Sequence, residues 1–118
     1  MGSVSWIHDV TEGDIRNDSL PLTKPQASIP ASARVFGRTP DPARAPTGTL
    51  PLGITWENGK RTEHFVQRGH RIANRTEAVR EFYERIGAKI GSPQKQIVIT
   101  ALRDGEYLIT PLNAGEGV

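Results

Sequence analysis

Asn58-Gly59, set between two stretches that alternate apolar and polar residues, constrains this chain more than any other feature. The dipeptide suits the positive φ angles of a two-residue hairpin turn better than any other pair of natural residues. The flanking stretches, residues 50–56 and 61–67, read as partner strands, with His64 and Val66 on one face and Phe65 on the other. Asp104-Gly105 repeats the signal between residues 96–102 and 106–112. There Ile97, Ile99 and Ala101 alternate with Val98, Thr100 and Leu102, so one set faces a core and the other faces away. Two hairpins commit the second half of the chain to sheets.

Between them lies one clear helix. Val79, Phe82, Tyr83 and Ile86 recur at i, i+3, i+4 and i+7, which makes a single apolar stripe at helical period. Asn74 with Glu77 forms a candidate capping pair, Thr76 is the rival N-cap, and Gly87 provides the left-handed stop. Glu77, Arg80, Glu81, Glu84 and Arg85 cover the outer face, with Glu81 and Arg85 spaced as a favourable i,i+4 pair.

The first half is less regular. Residues 6–10 read as a short strand, followed by a polar connection over residues 11–19. Residues 20–29 alternate loosely, but Pro21 and Pro25 restrict them to an edge strand or an irregular extended segment. Pro30 opens a helical turn running towards Phe36, and residues 37–48, with three prolines and a glycine at each end, form an exposed loop. The expected fold is mainly β with short helices: an antiparallel pseudobarrel of about six or seven strands flanked by two helices. Closure, or half-closure with a helix as plug, removes exposed strand edges.

At 118 residues the chain suffices for one hydrophobic core, so residues 1–118 are expected to form a single domain, flexible at 1–5 and 113–118. Met1-Gly2-Ser3 has the look of an added leader, which would make the chain one domain of a larger protein. Cysteine is absent, which excludes disulfide staples and thiolate metal sites and fits a reducing compartment. No apolar run approaches the roughly 18 residues of a membrane span.

Net charge is only +2, but its distribution is uneven. Lys60, Arg61, Arg68, Arg71 and Arg75, with His64 and His70, are opposed by the single acid Glu63 between positions 60 and 75. Such a run is often no more than a solvated surface. Here it leaves a strand and enters a helix, so both ends are fixed and residues 68–75 form an anchored arm. Arginine and asparagine make bidentate contacts to guanine and adenine edges, and arginine also grips phosphates. Asp14, Ile15, Arg16, Asn17, Asp18, Ser19 and Lys24 lie in the first connection, where a second arm is possible and ordinary turn formation is the plainer reading.

Catalytic readings find little support. His8, His64 and His70 have no metal-ligand spacing, and Asp41 with Glu57 and Lys60 lacks the Glu-x-Lys strand pattern of metal-dependent nucleases. There is no phosphate-binding glycine loop and no nucleophile elbow. The arm carries no aromatic for stacking on single-stranded bases, which disfavours RNA. The chain is expected to have no catalytic activity and no cofactor of its own.

The stretch VTEGDIRNDSLPLTKPQASIPASARVF, residues 10–36, resembles the opening of the DNA-binding pseudobarrel family. That family comprises the plant B-three transcription-factor domains and the effector-binding domains of type IIE restriction endonucleases. The anchors are Asp14, Ile29-Pro30 and Phe36. NGKRTEHFVQR and AVREFYERIGAKIGSPQKQIVITAL, either side of the arm, resemble the family's hairpin, second helix and following strand, so the likeness spans about residues 6–112. Gly91-Ser92, where plant members carry Gly-Asp, and the long proline-rich loop favour the restriction-enzyme branch.

The resemblance implies two arms gripping the major groove of double-stranded DNA, an N-arm within residues 15–26 and a C-arm within 68–76. Carried onto this chain, base contacts fall first to Arg71, Asn74 and Arg75, and phosphate contacts to Arg16, Lys24 and Arg68. Asn17 and His70 fit either role, and Asp18 belongs to the same N-arm stretch. The implied protein is a non-catalytic effector or recognition domain, monomeric in isolation, in the bacterial cytoplasm. It would read a short site, CCWGG-like in some members, and control a nuclease site elsewhere. The alternatives are a transcription-factor-type DNA-binding domain and a small β-barrel that binds an acidic protein partner through its basic loop.

Overall fold

The structure is a computed structural model that describes residues 4–25, 29–30, 33, 48–67, 71–72 and 75–112. It is mainly β, with two short helices. Its elements, in chain order, are β1 (Val4–Asp9), α1 (Glu12–Asn17), β2 (Leu20–Pro21), β3 (Leu52–Trp56) and β4 (Arg61–His64). They continue with β5 (Val66–Gln67), β6 (Arg71–Ile72), α2 (Glu77–Ile86), β7 (Gln96–Arg103) and β8 (Glu106–Pro111). A five-stranded sheet has the order β1-β7-β8-β3-β4, and a three-stranded sheet has the order β2-β6-β5. No described pairing joins β4 back to β1, so the larger sheet is open rather than closed.

The expected hairpins form, with one change of turn. Gly59 N–H donates to the Trp56 carbonyl at 2.9 Å and Trp56 N–H donates to the Lys60 carbonyl at 2.8 Å. The loop therefore has three residues, with only Gly59 left-handed at φ 86°. This is a type I turn closed by a glycine bulge, not the two-residue turn expected from Asn-Gly. Asn58 instead keeps φ negative and accepts the Lys60 N–H on Oδ1 at 3.0 Å, which relieves it of the left-handed conformation. In the second hairpin the register slips by one between Ala101 and Arg103, so Leu102 bulges out and is exposed.

One pairing departs from the antiparallel expectation. β8 lies between β7 and β3 and runs parallel to β3, with Ile54 opposite Tyr107 and Trp56 opposite Ile109. Parallel neighbours need a long crossover, and here β4 to β7, including α2, supply it. α2 can then lay its apolar stripe on the sheet. Val79, Phe82 and Tyr83 are buried with Leu52, Ile54, Trp56, Ile97, Ile99, Tyr107 and Ile109 in one core. Phe82 and Trp56 rings lie 5.0 Å apart, which fixes the helix over β3.

The first half contains a helix where a polar connection was expected. Thr11 caps α1, its Oγ1 accepting the Asp14 N–H at 3.1 Å while Asp14 Oδ2 accepts the Thr11 N–H at 3.0 Å. This reciprocal capping box needs a hydroxyl and an acid three residues apart, and Thr11 and Asp14 provide both. Val4 and Ser5, expected in a flexible leader, pair with Ala101 and Thr100 in β1. Pro21 lies in β2, an edge strand as its missing N–H requires. Ala33 N–H donates to the Pro30 carbonyl at 3.0 Å, the turn expected there. Phe36, the loop 37–47 and the tail 113–118 lie outside the described residues. Among the described residues no helix is long and apolar enough to cross a membrane.

Candidate functional site

The residues singled out in the sequence occupy two chain segments, and the fold brings their roots together. Leu20 pairs with Ile72 and Pro21 with Arg71, so β2 lies against β6. One step earlier in the first segment, Arg75 N–H donates to the Asn17 carbonyl at 2.6 Å and Thr76 N–H donates to the Asp18 carbonyl at 3.2 Å. The C-terminal end of α1 thus abuts the connection between β6 and α2. Asn17, Asp18, Arg71 and Arg75 meet there, and exposed Arg16 precedes them on α1.

The local conformations are specific. Asp18 (φ 50°) and Arg75 (φ 62°) are the two non-glycine residues with left-handed backbone among the described residues. Asp18 is the C-cap of α1, where such a turn is common. Arg75 has no glycine's freedom and is held by its short bond to Asn17. Arg71, expected on a projecting loop, lies instead in β6, the middle strand of the smaller sheet, because Val66 and Gln67 pair with Ile72 and Arg71. Its side chain is half-buried, and Nη2 donates to Ser19 Oγ at 3.2 Å. Residues 68–70 connect β5 to β6. Arg68, His70 and Asn74 lie outside the described residues. Lys24 is exposed, and its ammonium donates to the Ile7 carbonyl on β1 rather than to any group at the α1–β6 junction.

Two buried polar residues that sequence reasoning did not single out as site residues hold this junction. Ser19 is fully buried, its N–H donating to the Asp14 carbonyl at 3.0 Å and its own carbonyl accepting the Tyr83 hydroxyl at 2.7 Å. Asp14 is buried at the base of α1, where its Oδ2 lies 2.8 Å from His8 Nε2 on β1. Burial alone would push the Asp14 carboxyl up, but the His8 hydrogen bond and the Thr11 N–H outweigh it and hold the group below its ordinary range. Burial pushes the Tyr83 hydroxyl well up, and the Asp14 and Asp18 carboxylates push it further, so it stays a donor. The signal for Asp14 was legible as half of a capping box; Ser19 carries none.

Elsewhere the cations are matched by acids. Arg61 donates Nε and Nη2 to Glu106 at 3.0 and 2.7 Å, and Nη1 to Glu63 at 2.9 Å. A Cβ at Gly53 would collide with this pair, so glycine leaves the space in which the guanidinium lies flat on the sheet. Arg61 is therefore neutralised and drops out of the basic run. Arg85 likewise takes Glu57 rather than the Glu81 expected from helical spacing, Nε and Nη2 both donating at 2.9 Å. Glu57 thereby leaves any acid pair with Asp41, which itself lies outside the described residues. Among the described residues no carboxylate lies within ion-pair distance of Arg16 or Arg75, and no three His, Asp or Glu side chains gather as metal ligands would.

His64 closes β4 at the point where the chain leaves the larger sheet for the smaller. Thr62 Oγ1 accepts the Trp56 indole N–H at 2.7 Å and lies 2.6 Å from His64 Nε2. Burial lowers the His64 pKa below its ordinary value and so favours the neutral ring, against the charge of Glu63, which favours the protonated one. The imidazole thus ends a short hydrogen-bond chain that runs from the Trp56 indole of β3 through Thr62 of β4.

Set against family models, curated proteins and solved structures, the chain matches none of them.

Proposed function

We propose that this protein binds double-stranded DNA with sequence specificity, presenting the face where α1 meets the β6–α2 connection to the major groove. In this reading it is a non-catalytic recognition domain of a bacterial restriction endonuclease, acting in the cytoplasm, with the nuclease site in another domain. The resemblance of its two arm-bearing segments to the pseudobarrel family motivates the assignment.

One observation carries it. The backbone bonds from Arg75 and Thr76 to Asn17 and Asp18 join two segments more than fifty positions apart, which supports a face drawing cations from both. A free loop would lose conformational entropy on meeting DNA; a face already held by main-chain bonds loses less. Arg16 and Arg75 bring charge that no described acid neutralises, unlike Arg61 and Arg85. Arg71 and Arg75 are assigned to base edges, Arg16 and Lys24 to phosphates, and Asn17 and Asp18 to the junction between them.

The test is a selection from a randomised duplex pool at about physiological salt without divalent metal. A short enriched motif is the expected result. Retention without a motif would reduce the face to a nonspecific basic surface, and no retention would return the chain to a protein-binding role.

A further inference from the structure

Among the described residues the five-stranded sheet ends in two edges, β4 and β1, and the two are protected differently. An open edge offers unpaired N–H and C=O groups on which another chain can add a strand. β4 has four residues, and Arg61 and Glu63 line it with exposed charge. β1 has six residues, and its Val4 and Ile7 side chains are 57 % and 46 % exposed.

The hydrogen-bond pattern fixes which groups of β1 face outwards. Val10 lies one step beyond the Asp9–Gln96 pair, opposite Lys95, and its N–H donates to the Lys95 carbonyl at 2.9 Å. Bonded and non-bonded pairs alternate along an antiparallel ladder. So His8, Trp6 and Val4 bond to β7, while Asp9, Ile7 and Ser5 turn their N–H and C=O groups to the edge. The Gln96 carbonyl agrees with this parity, since it accepts the Leu112 N–H at 2.8 Å and not a group of β1. At the centre of the edge stands Lys24, whose ammonium donates to the outward Ile7 carbonyl. Leu22 and Pro25 are buried on either side of it, which holds this segment beside β1.

We infer that β1 is a self-association edge held shut by Lys24, and that the partner it excludes is a second copy of this chain. Antiparallel pairing of β1 with β1 about a twofold axis at Ile7 is self-complementary: Ile7 meets Ile7, and Ser5 meets Asp9 in both halves. The two exposed isoleucine side chains then cover each other, and no two acids stand opposite. Lys24 opposes this pairing twice. It takes the carbonyl that the central pair needs, and two ammonium groups would meet at the axis. The role is independent of the DNA reading and is tested without DNA, although a phosphate that took Lys24 would compete with Ile7 for it.

Sedimentation velocity over a concentration series compares the wild type with Lys24→Ala, Lys24→Met and Lys24→Arg. Wild type and Lys24→Arg are expected to stay monomeric. Lys24→Ala and Lys24→Met are expected to dimerise about tenfold more tightly or better. Methionine keeps the length of the stem and decides the matter if the alanine variant unfolds. Ile7→Lys in either background should restore the monomer, because it returns charge to the axis. Hydrogen exchange locates the contact: the Ile7 amide, which points away from β7, should exchange fast in the wild type and slowly in the dimer. Folded but monomeric Lys24→Ala and Lys24→Met would overturn the inference. So would a dimer that Ile7→Lys leaves intact or that leaves the Ile7 amide unprotected. A wild-type dimer with a protected Ile7 amide would show the edge open with Lys24 in place, and would overturn the guard.

Discussion

The five-stranded sheet and the junction of α1 with the β6–α2 connection treat their arginines differently. On the five-stranded sheet and its helix, Arg61 and Arg85 are laid against Glu106, Glu63 and Glu57, and their charge is spent within the protein surface. At the junction, Arg75 is fixed through its main chain, and its guanidinium is unpaired by any described acid. The larger sheet has ladders up to six pairs long; the smaller has ladders of two. Long ladders and matched charges make a stable base. Short ladders, left-handed corners and an unmatched Arg75 suit a surface that meets a partner, because strain and unsatisfied charge tend to collect where function needs them.

The largest effect should come from breaking the base. Phe82→Ala removes the ring that docks α2 on Trp56 in a fully buried site, and it is expected to cost about 3–5 kcal/mol. Against a total stability of about 5–15 kcal/mol, that is enough to bring the protein close to unfolding. Denaturant titration followed by circular dichroism measures it. A single transition is expected, since Tyr83 on the same helix also holds the Ser19 carbonyl and so ties the small sheet to the large one.

At the other region the expected effect is on binding rather than folding. Arg75→Ala should weaken binding to the specific duplex by about 1–3 kcal/mol and blunt discrimination at one base pair. Arg75→Gly should lose the same contact yet leave stability unchanged or raised by up to about 1 kcal/mol, because glycine adopts the left-handed conformation without a Cβ clash. Titration calorimetry with the selected duplex, alongside thermal unfolding, separates the two quantities. A glycine variant that loses stability and keeps its affinity would place the side chain in the fold and not at a partner.

Much of the larger sheet was legible because its signals are long. β7 alternates over eight residues, α2 repeats its apolar stripe over ten, and Asn58-Gly59 and Asp104-Gly105 mark the turns. In the smaller sheet β2 and β5 fall within the expected stretches 20–29 and 61–67, but β6 was not legible, because a two-residue strand has no period to detect; it exists through pairing with β5 nearby and with β2 far away in the chain. That is why Arg71 was expected on a loop. α1 was hidden by its own composition, since a six-residue polar segment containing glycine resembles a turn unless Thr11 and Asp14 are read together as a capping box. Arg85 chose Glu57 over Glu81 because the β3–β4 turn comes up beside α2, a tertiary fact that helical spacing cannot contain. The cluster of site residues was half legible: the residue types were visible, their meeting was not.

A smaller effect should mark the hinge between the regions. His64 is held neutral, with its pKa lowered by burial, so the unfolded chain takes up a proton at a higher pH than the folded protein does. Stability should therefore fall as pH drops through about 6.5, the ordinary histidine value, and level off below the lowered folded value. Asp14 acts in a separate, more acidic window: its carboxyl is held low, so its contribution is present above about pH 4 and is lost as the folded group protonates. His64→Gln should flatten the difference between denaturant midpoints taken near pH 7.5 and pH 5.5, where Asp14 stays ionised. An unchanged slope in that variant would assign the near-neutral dependence to another histidine.

The smallest effect tests whether the matched charges of the larger sheet are as inert as they look. Glu57→Gln keeps the size of the side chain and removes the charge facing Arg85. The pair is bidentate but lies at the surface, where water and salt screen it, so its loss should cost no more than about 1 kcal/mol. The same substitution releases one cation in the last turn of α2, beside the β3–β4 turn. If the face that meets DNA is confined to the junction of α1 with the β6–α2 connection, freeing Arg85 should leave sequence discrimination untouched and add at most a weak, salt-sensitive gain for every duplex alike. If discrimination changes, the boundary between base and recognising surface lies further along α2 than the matched arginines suggest. The variant thus measures the extent of the face by adding charge where the protein has removed it.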